Sequence, residues 1–170
     1  MRPTSIRRWY GLLVATLSLV ALAACGPTQA SPAIGGDLAA RATSVCETAL
    51  AAKQAWPEFP VANFDPTHPD ASALPQVAHW LEDEVTPTFD AWISDLRALG
   101  TPPSGTAEWA RLLAAVQAIV DLNAAQAAAA ASGDSGKFAA TTSELRTSQP
   151  ELESAAAAAG VPKCADVHKP

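Results

Sequence analysis

Apolar residues recur along most of this chain at spacings of three and four, the period of one helix face. The clearest run is Val77, Leu81, Val85, Phe89, Trp92, Leu96 and Leu99. It predicts a helix over roughly residues 72–99, stopped by Gly100 and the pair Pro102-Pro103. Pro87 lies inside this run and is expected to kink or break it, because proline lacks the N–H that the ladder needs. A first helix is predicted from Asp37, taken as N-cap, to about Ala55, with Leu38, Ala42, Val45, Ala49, Ala52 and Trp56 on one face. A third is expected over Thr106–Ala131, with Trp109, Leu112, Leu113, Val116, Ile119, Val120 and Asn123 facing inward. A fourth follows a Ser132-Gly133-Asp134 turn and runs to Ala159, with Phe138, Leu145, Leu152 and Ala159 seven residues apart. Pro150 is expected to interrupt it, with Ser148 to Glu151 as a fresh capping box. Gly160-Val161-Pro162 ends it.

These segments predict an all-α domain over residues 37–164. The expected architecture is an antiparallel up-down four-helix bundle with a long proline-rich loop between helices one and two. That loop, residues 57–75, carries five prolines and also Phe59, Val61 and Phe64, which favour wrapping over the core to exposure in water. Residues 25–36 are expected to form a flexible tether of glycine, proline and small polar residues, and 165–170 a short polar tail.

The start of the chain has a different pattern. Arg2, Arg7 and Arg8 precede an apolar stretch over residues 11–24, which ends in Leu22-Ala23-Ala24-Cys25. A basic start, a short apolar run and small residues before a cut form a signal peptide, and the run is too short to span roughly 30 Å of hydrocarbon comfortably. The LAAC sequence resembles the lipid-attachment signal of bacterial lipoproteins. The resemblance covers residues 1–25 and implies diacylglyceryl transfer to Cys25 and cleavage before it. It places the protein outside the cytoplasm, held by lipid on the outer face of the cell membrane. An ordinary secretory signal or an uncleaved anchor is the alternative. Arg7-Arg8 is also compatible with twin-arginine export.

Charge narrows the partners. The chain has 11 bases and 17 acids. Loss of residues 1–24 removes three arginines and brings the formal net charge from −6 to −9. Such a surface disfavours nucleic acid and anionic lipid. The membrane is therefore a partner through Cys25 alone. Cys46 and Cys164 remain, and in an oxidising compartment an even pair is expected to form a disulfide.

Few residues carry candidate chemistry. No GxSxG, Walker or metal-type HxxxH pattern occurs, and no cofactor, metal site or catalytic residue is assigned. Asp65, His68 and Asp70 in FDPTHPD have oxygens suited to a hard cation, but Asp-Pro and His-Pro more often mark turns with carboxylates capping local amides. His79 and Asp83 are four apart on the second helix and make the best acid–base pair, against the alternative of an exposed helix face. Trp56, Phe59, Phe64 and Trp80 flank or occupy the proline-rich loop and form the candidate surface for a ligand or partner.

The stretches LRALGTPPSG (96–105), AAASGDSGKFAA (129–140) and AAGVPKC (158–164) resemble a group of small, all-helical, uncharacterised actinobacterial lipoproteins. That resemblance implies the helical fold and carries over no functional residue. The sequence is best read as a non-enzymatic interaction or accessory protein of the cell envelope. A binding protein or sensor for an apolar small molecule is the alternative, and an enzyme using His79 and Asp83 a more remote one.

Overall fold

The computed structural model describes residues 33–169. The signal segment, Cys25 and tether residues 26–32 lie outside the described residues. The described chain is all-helical, with five α-helices: α1 (Gly36–Gln54), α2 (Leu74–Trp80), α3 (Thr86–Ala98), α4 (Thr106–Ala131) and α5 (Ser135–Ala159). A π turn, Leu81–Val85, joins α2 to α3, and a 3-10 helix, Pro162–Val167, follows α5.

The apolar spacing explains the packing. Helix α4 turns Trp109, Leu112, Val116, Ile119 and Val120 into the core, where α2 and α3 meet it. Its alanine-rich last turns bury Ala127, Ala129 and Ala130, and the absence of larger side chains lets α5 approach closely. By length and composition α4 is apolar enough to cross a membrane, but half of that window is buried inside this domain, as a core helix requires. Asp134 caps α5 as expected, its Oδ1 accepting from the Lys137 N–H at 2.9 Å. At the other end Gly160 adopts φ 80°, and Val161 N–H donates back to Ala156 O, which closes the helix. Cys46 and Cys164 are fully buried and disulfide-bonded, with Cα atoms 4.9 Å apart. The bond ties the middle of α1 to the 3-10 helix.

The two internal prolines behave differently. At Pro87 the α-helical ladder is interrupted, as expected, by the π turn just before it, with Thr86 N–H donating to Leu81 O. The wider turn makes room for a ring that would otherwise crowd the preceding carbonyls. Thr88 Oγ1 then donates to Glu84 O at 2.8 Å. Helix α5, against expectation, continues through Pro150. Ser148 forms no new cap there; its hydroxyl donates to Leu145 O at 2.7 Å, and the His168 ring also donates to that carbonyl at 2.9 Å. The Leu145 carbonyl, one residue before the Arg146 carbonyl that Pro150 leaves without its helical partner, thus gains two donors in this turn.

The domain is also longer at both ends than the sequence suggests. Ile34, assigned to the tether, is fully buried. Ala33 O accepts from Ser104 Oγ at 3.0 Å, and Gly105, at φ 65°, lets the backbone of residues 33–34 lie against the turn before α4. Gly35, not Asp37, is the N-cap of α1. The supposed polar tail buries Ala165 and Val167, because the 3-10 helix packs on α1 and α5.

Candidate functional site

Residues 55–73 fold back over the helices through their aromatic side chains. Edge-on and tilted contacts run Phe138–Phe64 (5.7 Å between ring centres), Phe64–Phe59 (5.3 Å), Phe59–Trp80 (5.1 Å), Trp80–Trp56 (5.3 Å) and Trp56–Phe89 (6.3 Å). The four residues assigned from sequence, Trp56, Phe59, Phe64 and Trp80, therefore form one cluster. All four are half-buried. The indole N–H groups hold the segment in place: Trp56 donates to Thr88 Oγ1 at 3.0 Å and Trp80 to Pro57 O at 3.4 Å. The first of these bonds attaches the segment to the same threonine that caps a carbonyl of the π turn.

The polar residues of this segment shape turns. Asp65 Oδ1 accepts from both the amide and the hydroxyl of Thr67, at 2.8 and 2.6 Å, and Asp70 does the same for Ser72. The two bonds from Thr67, with His68 beside them, push the Asp65 carboxyl down to about 2. Among the described residues no group of three His, Cys, Asp or Glu side chains comes together to hold a metal. His79 is exposed on α2, and among the described residues no hydrogen bond joins it to Asp83. Asp83 is exposed as well, so the two side chains lie on the solvent face of the helix.

Three neighbouring clefts, open to solvent, border the proline-rich segment. One of about 310 Å³ is lined by Phe59, Phe64, Pro66, Val77 and Phe138, and it shares Trp80, Leu81 and Gln126 with a second of about 250 Å³. The second continues along the π turn past Val85 and Phe89 to Lys53, Asn123 and His168. A third, of about 510 Å³, extends from Pro66 and His168 along Leu145, Arg146 and Gln149 of α5. The walls are mainly apolar with a few polar groups, the usual composition of a small-molecule site.

Those polar groups were not assigned from sequence. Asn123 and Gln126 are buried on α4; Asn123 Nδ2 donates to Ile119 O at 2.9 Å, and Gln126 Nε2 to Thr142 Oγ1 at 2.8 Å. Lys53, in the last turn of α1, donates to the carbonyls of Val167 and Lys169. Asn123 was visible as part of a helix face, but Lys53, Gln126 and His168 gave no local signal. Only long-range packing brings the end of α1, the middle of α4 and the C-terminal segment together.

His168 gives the site a pH dependence. Burial lowers its pKa from the ordinary histidine value, and the neighbouring Lys53 charge adds to this, while the bond to Leu145 O opposes it. The unfolded chain therefore takes up the proton first. The stabilisation is complete above about pH 6.5 and is lost as the pH falls from there through the folded-state pKa. Urea midpoints at pH 7 and pH 5 are expected to show this loss, and His168→Gln, which keeps a donor for Leu145 O, to reduce it. An unchanged slope in the variant would assign the pH dependence elsewhere.

No family model, curated protein or solved structure matches this chain.

Proposed function

We propose that this protein is a lipid-anchored, extracytoplasmic helical domain that binds an apolar small molecule in the clefts beneath residues 55–73. The supporting observation is a group of neighbouring, mainly apolar clefts around Trp80 and Pro66, open to solvent, with volumes of about 250, 310 and 510 Å³. A carrier or sensor needs such apolar space within reach of solvent. The fold is read as an up-down bundle in which α2, the π turn and α3 act as one irregular helix beneath the proline-rich loop. Helical π turns recur at functional sites, and this one forms a wall of the cleft. Anchorage at Cys25 on the outer face of the cell membrane completes the reading and rests on the LAAC signal. The interaction-protein alternative needs an exposed apolar patch around Phe59 and Phe64. Both rings are half-buried, packed on each other and on Trp80 and Phe138, which leaves only part of each for a partner.

The test is a titration with N-phenyl-1-naphthylamine, an uncharged probe that brightens in apolar surroundings. Saturable binding at one site per chain is expected. Pro66 lines two of the clefts from the exposed turn, so Pro66→Trp should block them and weaken binding by about ten-fold or more, with the unfolding midpoint retained. Binding that never saturates, or that ignores Pro66→Trp, would reject the cleft as a ligand site.

A further inference from the structure

The cleft walls carry charge of the opposite sign to the chain as a whole. The sequence holds 17 acids and 11 bases, yet among the described residues the charged side chains lining the three clefts are Lys53 and Arg146, with His168 lining two of them and no carboxylate side chain. Lys53 is the more enclosed of the two bases. Backbone carbonyls of Val167 and Lys169 fix its position without neutralising it. Among the described residues no carboxylate forms an ion pair with it. Burial lowers its pKa, and an anion placed beside it would offset that cost. Asn123 and Gln126, lining the same cleft, each keep a second amide N–H beyond the one already bonded. Donors and positive charge therefore gather in one cleft, and the neighbouring cleft, across the shared Trp80, Leu81 and Gln126, is aromatic.

We propose that the ligand is a small amphipathic monocarboxylate, its carboxylate at Lys53 and its apolar body running past Trp80 and Leu81 toward Phe138. This rests on the reading that the clefts hold an apolar ligand and adds the head group. The charge complementarity selects an acid over an amine or an uncharged analogue. The volumes suit a single short chain or ring system and not a whole diacyl lipid.

Octanoate and 1-octanol share a chain length and differ in the head group. Their binding to the full-length protein in zwitterionic nanodiscs is read from tryptophan fluorescence, since Trp56 and Trp80 line the cleft, with empty nanodiscs subtracted. Octanoate is expected to bind about ten-fold more tightly, the effect of one charge-assisted hydrogen bond. Lys53→Met should remove the preference and leave 1-octanol binding intact. Equal binding of the two by the wild type would overturn the carboxylate assignment and leave the apolar-ligand reading in place. Binding of neither would overturn both. A preference that survives in Lys53→Met would overturn the role of Lys53. If Lys53→Met loses both ligands, Lys53→Arg decides: a retained preference supports the proposal, and a lost one rejects it.

Discussion

The double variant Cys46→Ala, Cys164→Ala is expected to lose about 4–5 kcal/mol of unfolding free energy through the disulfide alone, on the chain-entropy account of so long a loop. The bond joins residues 118 apart in sequence, so it removes much of the freedom of the unfolded chain. A second loss is local. The Trp92 indole, itself buried, donates to Cys46 Sγ at 3.3 Å, and alanine leaves that N–H without an acceptor. An orphaned buried donor costs about 1–3 kcal/mol. The two losses can be separated. Wild-type protein reduced with dithiothreitol keeps a sulfur near Trp92 and should be less affected than the alanine pair. Urea denaturation of all three forms tests this. Equal stability of the reduced and alanine forms would remove the indole contribution, and a loss below about 1 kcal/mol would remove the loop-closure one.

Gly105→Ala is expected to cost about 2–4 kcal/mol, combining a left-handed backbone with lost burial of Ile34. Gly105 has φ 65°, and a Cβ there would sit 2.9 Å from Ile34 N and closer still to the Ala33 carbonyl. These are backbone atoms and cannot rotate away. The segment 33–34 must move out, and Ile34, fully buried, loses its site. Gly100 is the control, with φ 83° but nothing within 4 Å of a built Cβ. Gly100→Ala should therefore cost only the backbone strain, about 1–2 kcal/mol. Thermal or urea unfolding of the two variants gives the comparison. Equal losses would show that residues 33–34 contribute nothing to the fold.

Local periodicity was enough to place the long helices. The face Trp109 to Asn123 marks α4 from Thr106 to Ala131, and Asp134 marks the start of α5, because caps and apolar spacing are properties of neighbouring residues. Of the two prolines, Pro87 marked a real interruption of the α-helical ladder, whereas Pro150 was misleading, since α5 continues past it. Around Pro150 the helix is supported by His168, which reaches Leu145 O from 23 residues away, a partner no local rule contains. The candidate site divides in the same way. Its aromatic wall was legible, since large apolar side chains beside a long loop must be buried somewhere. Its polar end was not, since Lys53, Gln126 and His168 resemble surface residues until α1, α4 and the C-terminal segment meet.

The contact between Ala33 and Gly105 fixes where the leading segment enters the domain. It enters at the N-terminal end of α4, whereas Asn123 and Gln126 stand well along that helix, about 27 Å away or more at 1.5 Å per residue. A fusion partner placed ahead of residue 33 would therefore emerge beside the turn before α4, at the far end of that helix from Asn123 and Gln126, and would leave the cleft mouth uncovered.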